Sequence, residues 1–408
     1  MIGAAQIAEI GGHLAVRAGT DPPAAWDLRI DAGEAGWDTD PARLRHAKHQ
    51  ALMRAYQARY MLLPEDAGGG SILARLRRHY DPAEMARLEA LRAELEHELL
   101  APALETAKQA AHGRNLAAYA DALLPELRAR PEDAFTAFLR TSPQREAHYR
   151  NFLIQSSADL LAEASASALG VVGEFGAPQS ALFRILIDEF GYGAHGRKHS
   201  VLYRAVMRDF GLSDTYNAYW PFFDTAALEL HNAIHHLFQN PRNFFLQVGF
   251  LLFAETAYQR STRDHARYLA EFHPDADARY FAEHTHIDLH HTRMVIDEVA
   301  VPLVETYGEE VGAEIVAGAE LTRSAFARAG EHMLAVSQAF DAAAEAGLAA
   351  SAPPDLAMLG VAITPTAAAR LGAAPARIQV GGLGLVLSAA AFAAFPPGAV
   401  GRTLGVGA

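Results

Sequence analysis

Residues 283–291 of this chain read Glu-His-Thr-His-Ile-Asp-Leu-His-His. Within this stretch His284, Asp288 and His291 stand at positions i, i+4 and i+7, which share one face of an α-helix. Two imidazoles and a carboxylate on the same face are ligands that suit iron, manganese or zinc. The alternative is a solvated polar face, but so many histidines in an otherwise apolar and alanine-rich chain favour a metal site.

The chain on both sides of this stretch is also predicted to be helical. Between residues 142 and 350 strand-like alternation is almost absent, and short connections rich in turn formers separate segments with helical periodicity. We expect helices over residues 144–168, 178–189, 197–210, 225–237, 242–259, 264–272, 276–301, 302–307 and 311–347. The predicted fold is all-α, a helical bundle over residues 141–350 without internal repeats.

The flanking regions differ from this bundle. Residues 1–140 are expected to form an N-terminal helical extension, with helices over residues 40–63, 73–80, 82–112, 115–129 and 131–139. Residues 351–408 are rich in Gly, Ala and Val, and we expect them to form a small C-terminal module. Two short runs with β character around Gly381-Gly382 indicate a hairpin in this module.

The composition excludes several kinds of chemistry. The 408 residues are 50% hydrophobic and 20% charged, which is a globular composition. There are no cysteines, so disulfides, thiolate zinc sites, iron–sulfur clusters and cysteine nucleophiles are excluded, and any metal must be held by His, Asp and Glu. The net charge of −13 disfavours non-specific binding to nucleic acid or to anionic membranes.

The sequence also predicts a cytoplasmic protein. The N-terminus lacks a basic start followed by a long apolar run, so we expect no signal peptide. One uncharged region, residues 380–400, is long enough to cross a membrane, but glycine and proline interrupt it repeatedly. We therefore expect no membrane partner.

Glu255 is a charged residue where the pattern predicts burial, because it follows the apolar run Phe250-Leu-Leu-Phe-Ala on a predicted helix. A lone carboxylate in apolar surroundings is costly unless it is paired or bound to a metal. Glu255 is therefore a candidate metal ligand. The alternative is an arginine partner from elsewhere in the chain.

Glu189 and His199 are two further candidates. On an unbroken helix these residues would lie ~15 Å apart and could not share a metal. However, Gly191, Gly193 and Gly196 lie between them, and glycine is a poor helix former. We expect one helix to end after Glu189 and another to begin near residue 197, so that both side chains turn toward one point. The alternative is an ordinary loop between two helices.

A second group of histidines lies in the predicted helix 225–237. His231 and His235 are spaced i, i+4 and could bind zinc, which makes them an alternative metal site.

In order and spacing, the candidate ligands resemble those of the haem-oxygenase-like diiron oxidases and oxygenases, an iron-containing redox enzyme family. The shared features are a Glu, a Gly-x-Gly kink and a His ten residues after the Glu, then a Glu in an apolar helix and a final His-x3-Asp-x2-His helix. The resemblance covers roughly residues 145–345 and implies a haem-oxygenase-like bundle of seven helices. The metal ligands that it implies are Glu189, His199, Glu255, His284, Asp288 and His291.

The resemblance implies two Fe(II) ions per chain, with O2 as the oxidant. Three carboxylates leave the two ions with a net positive charge, which Glu163 or Glu174 could offset. His286 and His290 lie off the ligand face and are expected at the surface or behind the ligands. The helix 225–237 is expected to line the active-site cavity without giving a ligand.

The remaining expectations concern the residues of the active-site cavity, the reaction of the protein and the partners of the protein. Asn232 or His235 is expected to orient a substrate amine or carboxylate.

The resemblance implies an O2-activating non-haem diiron oxygenase that acts on a small polar metabolite. The Gly-x-Gly kink favours N-oxygenation of an amine or amino-acid derivative in specialised metabolism. The alternatives are a diiron oxidase that cleaves C–C bonds of an amino acid or desaturates it, a haem-binding protein, and a helical binding protein without catalysis. An external electron donor and a homodimer are compatible with the leading hypothesis.

Overall fold

The computed structural model describes residues 29–30, 41–63, 71–212, 214–217, 219, 223–345, 362–363, 376–380 and 383–387. It is dominated by α-helices, which confirms the predicted all-α class. We number them α1 Pro41–Gln57, α2 Ile72–His79, α3 Pro82–Leu99, α4 Ala101–Ala111, α5 Leu116–Ala129, α6 Ala134–Leu139, α7 Arg145–Leu160, α8 Ser165–Gly170, α9 Ala177–Glu189, α10 His199–Asp209, α11 Thr225–Gln239, α12 Phe244–Phe272, α13 Arg279–Met294, α14 Val301–Tyr307 and α15 Glu309–Glu345. Among the described residues, no helix is long and apolar enough to cross a membrane.

One hydrophobic core connects the N-terminal helices with the bundle. Tyr56 of α1 and Leu95 of α3 belong to the same buried cluster as Phe253 of α12. Helix α1 packs against α11, where the amide of Asn232 donates a hydrogen bond to the backbone oxygen of His49 over 2.9 Å. The N-terminal helices therefore cover one side of the bundle.

Helices α12 and α15 cross closely at the centre of the bundle. A side chain at Gly249 of α12 would overlap the backbone oxygen of Ile315, and one at Gly318 of α15 would overlap that of Leu246. Glycine at both positions lets the two backbones approach each other. This crossing fixes the position of α12, which carries Glu255.

Several predicted helix boundaries are wrong: the expected helix 40–63 ends at Gln57, the expected helix 82–112 is divided into α3 and α4, and two further differences lie in the bundle. The expected helix 144–168 ends at Leu160, and a turn with Ala164 in the left-handed region (φ 64°) separates it from α8. The expected break between residues 259 and 264 is absent, because α12 runs through it. The polar residues there continue the helix: Thr262 donates to the backbone oxygen of Tyr258 over 2.7 Å, and Arg260 pairs with Asp264.

Helix α13 is followed directly by a π-helical turn, Val295–Ala300, and then by α14. Pro302 lies at the start of α14 and has no N–H to donate to the preceding turn. A π-helical turn is a rare local distortion that is frequent beside functional sites. Here it immediately follows the helix with the His-x3-Asp-x2-His pattern.

The described strands form one antiparallel sheet in the order β1-β4-β3-β2. Their bounds are β1 Arg29–Ile30, β2 Ala362–Ile363, β3 Ala376–Val380 and β4 Leu383–Leu387. Val380 pairs with Leu383 across Gly381-Gly382, so the predicted hairpin is confirmed. Strand β1 shows that the N-terminal region also contributes to this sheet.

Candidate metal centre

The helical phase of α13 is the one that the sequence predicts. His284, Asp288 and His291 are buried, with relative exposures of 4%, 0% and 0%. His286 and His290 are exposed, as expected for residues off the ligand face. The Nδ1 atom of His284 lies 3.2 Å from Asp288 Oδ1, and Nδ1 of His291 lies 4.0 Å from the same oxygen.

The predicted break between Glu189 and His199 is confirmed. Two 3-10 turns, Gly191–Gly193 and His195–Arg197, replace regular helix there. Gly191 has φ +64°, and a Cβ atom on it would lie 2.5 Å from the backbone carbon of Arg197. Glycine is therefore required at this position by both conformation and space. The turn brings Glu189 Oε2 to 2.7 Å from His199 Nδ1.

Glu255 reaches the same cluster from α12. Its Oε2 atom lies 3.2 Å from Nδ1 of His291, and the residue is 9% exposed. No arginine pairs with Glu255 among the residues that the structure describes, so the alternative of an arginine partner is wrong there. The structure thus brings all six predicted ligand side chains together.

Of the two extra carboxylates that the sequence offers, one joins the cluster. Glu163 Oε1 lies 3.3 Å from Nε2 of His284 and accepts a 2.7 Å hydrogen bond from the hydroxyl of Tyr280. Glu174 is exposed and accepts a hydrogen bond from the backbone of Gly176, so its expected role is wrong. The turn after α7 is what directs Glu163 inward.

Asp188 is a residue of the site that the sequence analysis missed. Its Oδ2 atom lies 3.1 Å from Nε2 of His291, on the side of the ring away from Glu255. A carboxylate on the remote nitrogen of a ligand histidine fixes the ring orientation and the tautomer. The adjacent pair Asp188-Glu189 is the signal available in the sequence, but neighbouring residues on a helix do not face the same way.

The histidines of α11 have other roles. The Nε2 atom of His231 bonds the backbone oxygen of Gln155 over 3.0 Å, and among the described residues no cluster of three or more potential ligands includes His231 or His235. Asn232 bonds His49, and His235 lies 3.3 Å from the hydroxyl of Tyr60. Asn232 and His235 therefore face the N-terminal helices, and the expectation that they orient a substrate is wrong.

The carboxylates and imidazoles of the cluster shift one another's pKa values. Burial disfavours protonation of His291, but the negative charges of Glu255 and Glu189 outweigh the effect of burial and raise the pKa of His291 to about 10. Burial also opposes ionisation of Glu189, yet the hydrogen bond and charge of His199 bring the pKa of this carboxyl to about 2. The pKa of His284 likewise rises well above its ordinary value, against the effect of burial, because of Asp288 and Glu163. The site thus attracts positive charge.

The polar atoms of the cluster fit a metal site. Among the described residues, the buried acceptor atoms Glu163 Oε2 and Asp288 Oδ2 have no hydrogen-bond partner. Unsatisfied buried polar atoms are costly, and a metal ion would satisfy them. The potential ligand atoms form two sets, and within each set all atoms lie within 4.8 Å of one another. The first set comes from Glu163, Glu189, His199 and His284, and the second from Glu189, Asp288 and His291. Glu189 belongs to both sets, so the donor atoms form two adjacent sites.

A cavity of about 70 Å³ adjoins this cluster. Glu163, Glu189, Glu255 and His284 line one end of it. The remaining wall is mainly apolar, and most of it comes from α8, α9, α11 and α12. A small molecule in this cavity would lie against the carboxylates and the imidazole of the cluster.

The fold and the site define a class of protein: an α-helical bundle with a buried histidine–carboxylate cluster beside an internal cavity. Residues 150–327 match the family described as iron-containing redox enzymes. Nitrosourea synthase from Streptomyces achromogenes subsp. streptozoticus is 34% identical over 278 residues, which are 67% of this chain and 58% of that protein. The chain thus spans less than two thirds of the length of this relative. The central helices, residues 150–327, carry the match to the iron-containing redox enzyme family, which confirms the predicted resemblance.

Proposed function

We propose that the chain is an O2-activating non-haem diiron oxidoreductase. The observation that carries this proposal is the buried cluster with two adjacent sets of donor atoms that share Glu189. Three neutral histidines and four carboxylates form the ligand set: Glu163, Glu189, His199, Glu255, His284, Asp288 and His291. Four carboxylates balance the four positive charges of two Fe(II) ions, so Glu163 supplies the charge that three carboxylates leave open.

The residues of the chain prepare this site for O2 chemistry. Oxygen and imidazole donors suit iron, and the bound ions would supply the electrons that activate O2. Asp188 holds His291 with Nδ1 toward the cluster, and Tyr280 holds Glu163 by its hydrogen bond. The surrounding apolar helices exclude water, which limits unproductive side reactions.

We propose N-oxygenation of a small amine or amino-acid derivative as the reaction. The name of the related nitrosourea synthase denotes a product with an N-nitroso group, so chemistry at nitrogen supports this proposal. The cavity beside the cluster suits a small molecule with an apolar part. A haem-binding role receives no support from the site, because it leaves several buried carboxylates without counter-charge.

The experiment begins with the metal-free protein under anaerobic conditions. We expect it to take up about two Fe(II) per chain, and mixing with O2 should then give a transient visible absorption without a Soret band. A screen of amines should find compounds that accelerate the decay of this transient, and mass analysis should detect added oxygen in their products. Binding of one iron or of zinc alone, without a chromophore, would overturn the proposal. Products of C–C cleavage or desaturation would keep the diiron site and replace the N-oxygenation.

A further inference from the structure

Two cavities lie side by side next to the metal centre. The cavity of about 70 Å³ reaches the cluster, and a second cavity of about 220 Å³ extends away from it. Asp159, Ile234 and Tyr258 line both cavities and therefore mark their junction. These three side chains therefore face both cavities, and a molecule bound in either one would contact them.

Asp159 differs from the other carboxylates of the second cavity. Asp133 accepts a 2.9 Å hydrogen bond from the backbone N–H of Thr136, and Asp224 accepts one of 2.7 Å from that of Ala227. Both thus cap the start of a helix. The Asp159 carboxylate has no hydrogen bond or ion pair with any described residue, although it lies inside the protein at the junction of the two cavities.

No side chain of the described residues is paired with this carboxylate, and His284, which also lines the first cavity, is paired with Asp288 and Glu163 instead. Neither cavity is lined by a lysine or an arginine among the described residues. Burial lowers the pKa of both His231 and His265 to about 4, so these two lining histidines are neutral. Burial and the nearby charge of Glu163 raise the pKa of Asp159 to about 7. An unpaired carboxylate in such a place is costly, and a cationic ligand would remove that cost.

We propose that Asp159 binds the cationic nitrogen group of the substrate, a protonated amine or a guanidinium, and thereby determines specificity. This inference rests on the proposed function, which supplies the reaction at the adjacent cluster. Asp159 and Glu163 both line the cavity beside the cluster, and the charge of Glu163 acts on Asp159, so a group bound there lies near the metal centre. Tyr258 lies at the same junction, and burial raises its pKa well above the ordinary value, so its hydroxyl stays a donor.

The rest of the junction suits an aliphatic substrate chain. Leu186, Ile234, Phe238 and Phe250 form apolar walls beside the cluster. A ligand with a cationic end and a short apolar chain would pair its charge with Asp159 and place its chain against these walls. Asp159 is thus a specificity residue that contacts substrate and is separate from the metal ligands.

The test uses two probes of nearly the same shape, n-butylguanidinium and the uncharged n-butylurea. Their binding to the full chain is measured by calorimetry, both without metal and after anaerobic loading with Fe(II). We expect the wild type to prefer the cation by at least about tenfold, the effect of one charged hydrogen bond, and Asp159→Asn to abolish that preference. Asp121→Asn is the matched control, because Asp121 is an exposed aspartate of α5. It should keep the full preference.

Thermal unfolding separates this role from a structural one. Because Asp159 has no hydrogen-bond or ion-pair partner among the described residues, Asp159→Asn should unfold at the same temperature as the wild type or higher. A clear loss of stability, or failure to fold, would identify Asp159 as structural and overturn the proposal, as would an unchanged preference for the cation. A protein that shows the predicted preference but does not react with O2 would contradict the proposed function and leave the role of Asp159 intact.

Discussion

Asp188 and His291 are joined through the ring nitrogen that points away from the carboxylate cluster, with 3.1 Å between Oδ2 and Nε2. A carboxylate only accepts, so Nε2 carries the proton. The Nδ1 atom, which lies 3.2 Å from Glu255 and 3.7 Å from Glu189, is then the one that can bind a metal. Asp188 therefore determines which nitrogen of His291 is presented to the site.

Replacing Asp188 by asparagine should weaken Fe(II) binding while keeping the fold. We expect the affinity to fall by about 10- to 100-fold, the usual effect of removing a carboxylate behind a ligand histidine. Anaerobic titration of Fe(II) measures the affinity, and circular dichroism checks the helix content. Glu298→Gln is the control, because Glu298 is an exposed residue that pairs with Arg184 of α9. Equal affinities of Asp188→Asn and wild type would contradict the role of Asp188.

The ligand face of α13 can be tested with neighbouring histidines. His291→Ala should abolish O2-dependent turnover and reduce the bound iron, because His291 is buried in the cluster. His290→Ala should retain nearly full activity, because His290 is exposed. His199→Ala and Glu255→Ala should behave like His291→Ala, with helical content largely unchanged. Iron analysis and O2 consumption measure these effects, and equal damage from both histidine variants would show that the assigned face is wrong.

The turn between α9 and α10 offers a matched pair of glycines. Both Gly191 and Gly193 have positive φ, of +64° and +78°, so alanine at either should cost about 1–2 kcal/mol of the free energy of unfolding. A Cβ atom at Gly191 would also overlap the backbone of Arg197 and Lys198, whereas one at Gly193 would meet no atom within 4 Å. Gly191→Ala should therefore destabilise the protein more than Gly193→Ala.

Gly191→Ala should also lower Fe(II) affinity, since the turn sets the distance between Glu189 and His199. Chemical denaturation and metal titration of the two variants give the comparison. Equal losses of stability and of affinity for both would mean that the close approach at Gly191 has no influence on the site.

The sequence predicts those features that depend on one helix or one turn. The spacing of His284, Asp288 and His291 determines their common face, and the glycines after Glu189 determine a break in the helix. Both are local properties of the chain. The contact of Asp188 with His291 joins α9 to α13, so it depends on how the helices pack, and no local pattern reveals it.

The inward turn of Glu163 and the orientation of Asn232 illustrate the same limit. Glu163 and Glu174 are equivalent from spacing alone, and only the end of α7 at Leu160 distinguishes them. Asn232 was expected at the cavity, but helix α1 packs on that face of α11 and takes its amide. The tertiary contacts of the N-terminal helices thus decide which residues reach the cavity.

Buried neutral histidines should make the stability of the protein sensitive to acid. His265 is stacked between Phe152 and Phe281, with ring centroids 4.3 Å and 5.2 Å apart, and burial lowers its pKa from 6.5 to about 4, although Asp264 opposes the shift. As the pH falls below 6.5, the unfolded chain binds a proton at this histidine, and the folded protein does so only near pH 4. Acid therefore favours unfolding within this window.

Replacing His265 by phenylalanine should remove that contribution and keep the aromatic stack. Between pH 7 and pH 5 the wild type should lose on the order of 2 kcal/mol more of its free energy of unfolding than His265→Phe does. Urea denaturation at several pH values measures both slopes, and comparing slopes cancels any constant cost of the larger ring. His286→Phe is the control, because His286 is exposed and its replacement should leave the pH dependence of the wild type unchanged. Parallel pH profiles for wild type and His265→Phe would show that His265 is protonated in the folded protein, which would contradict a neutral histidine in this stack.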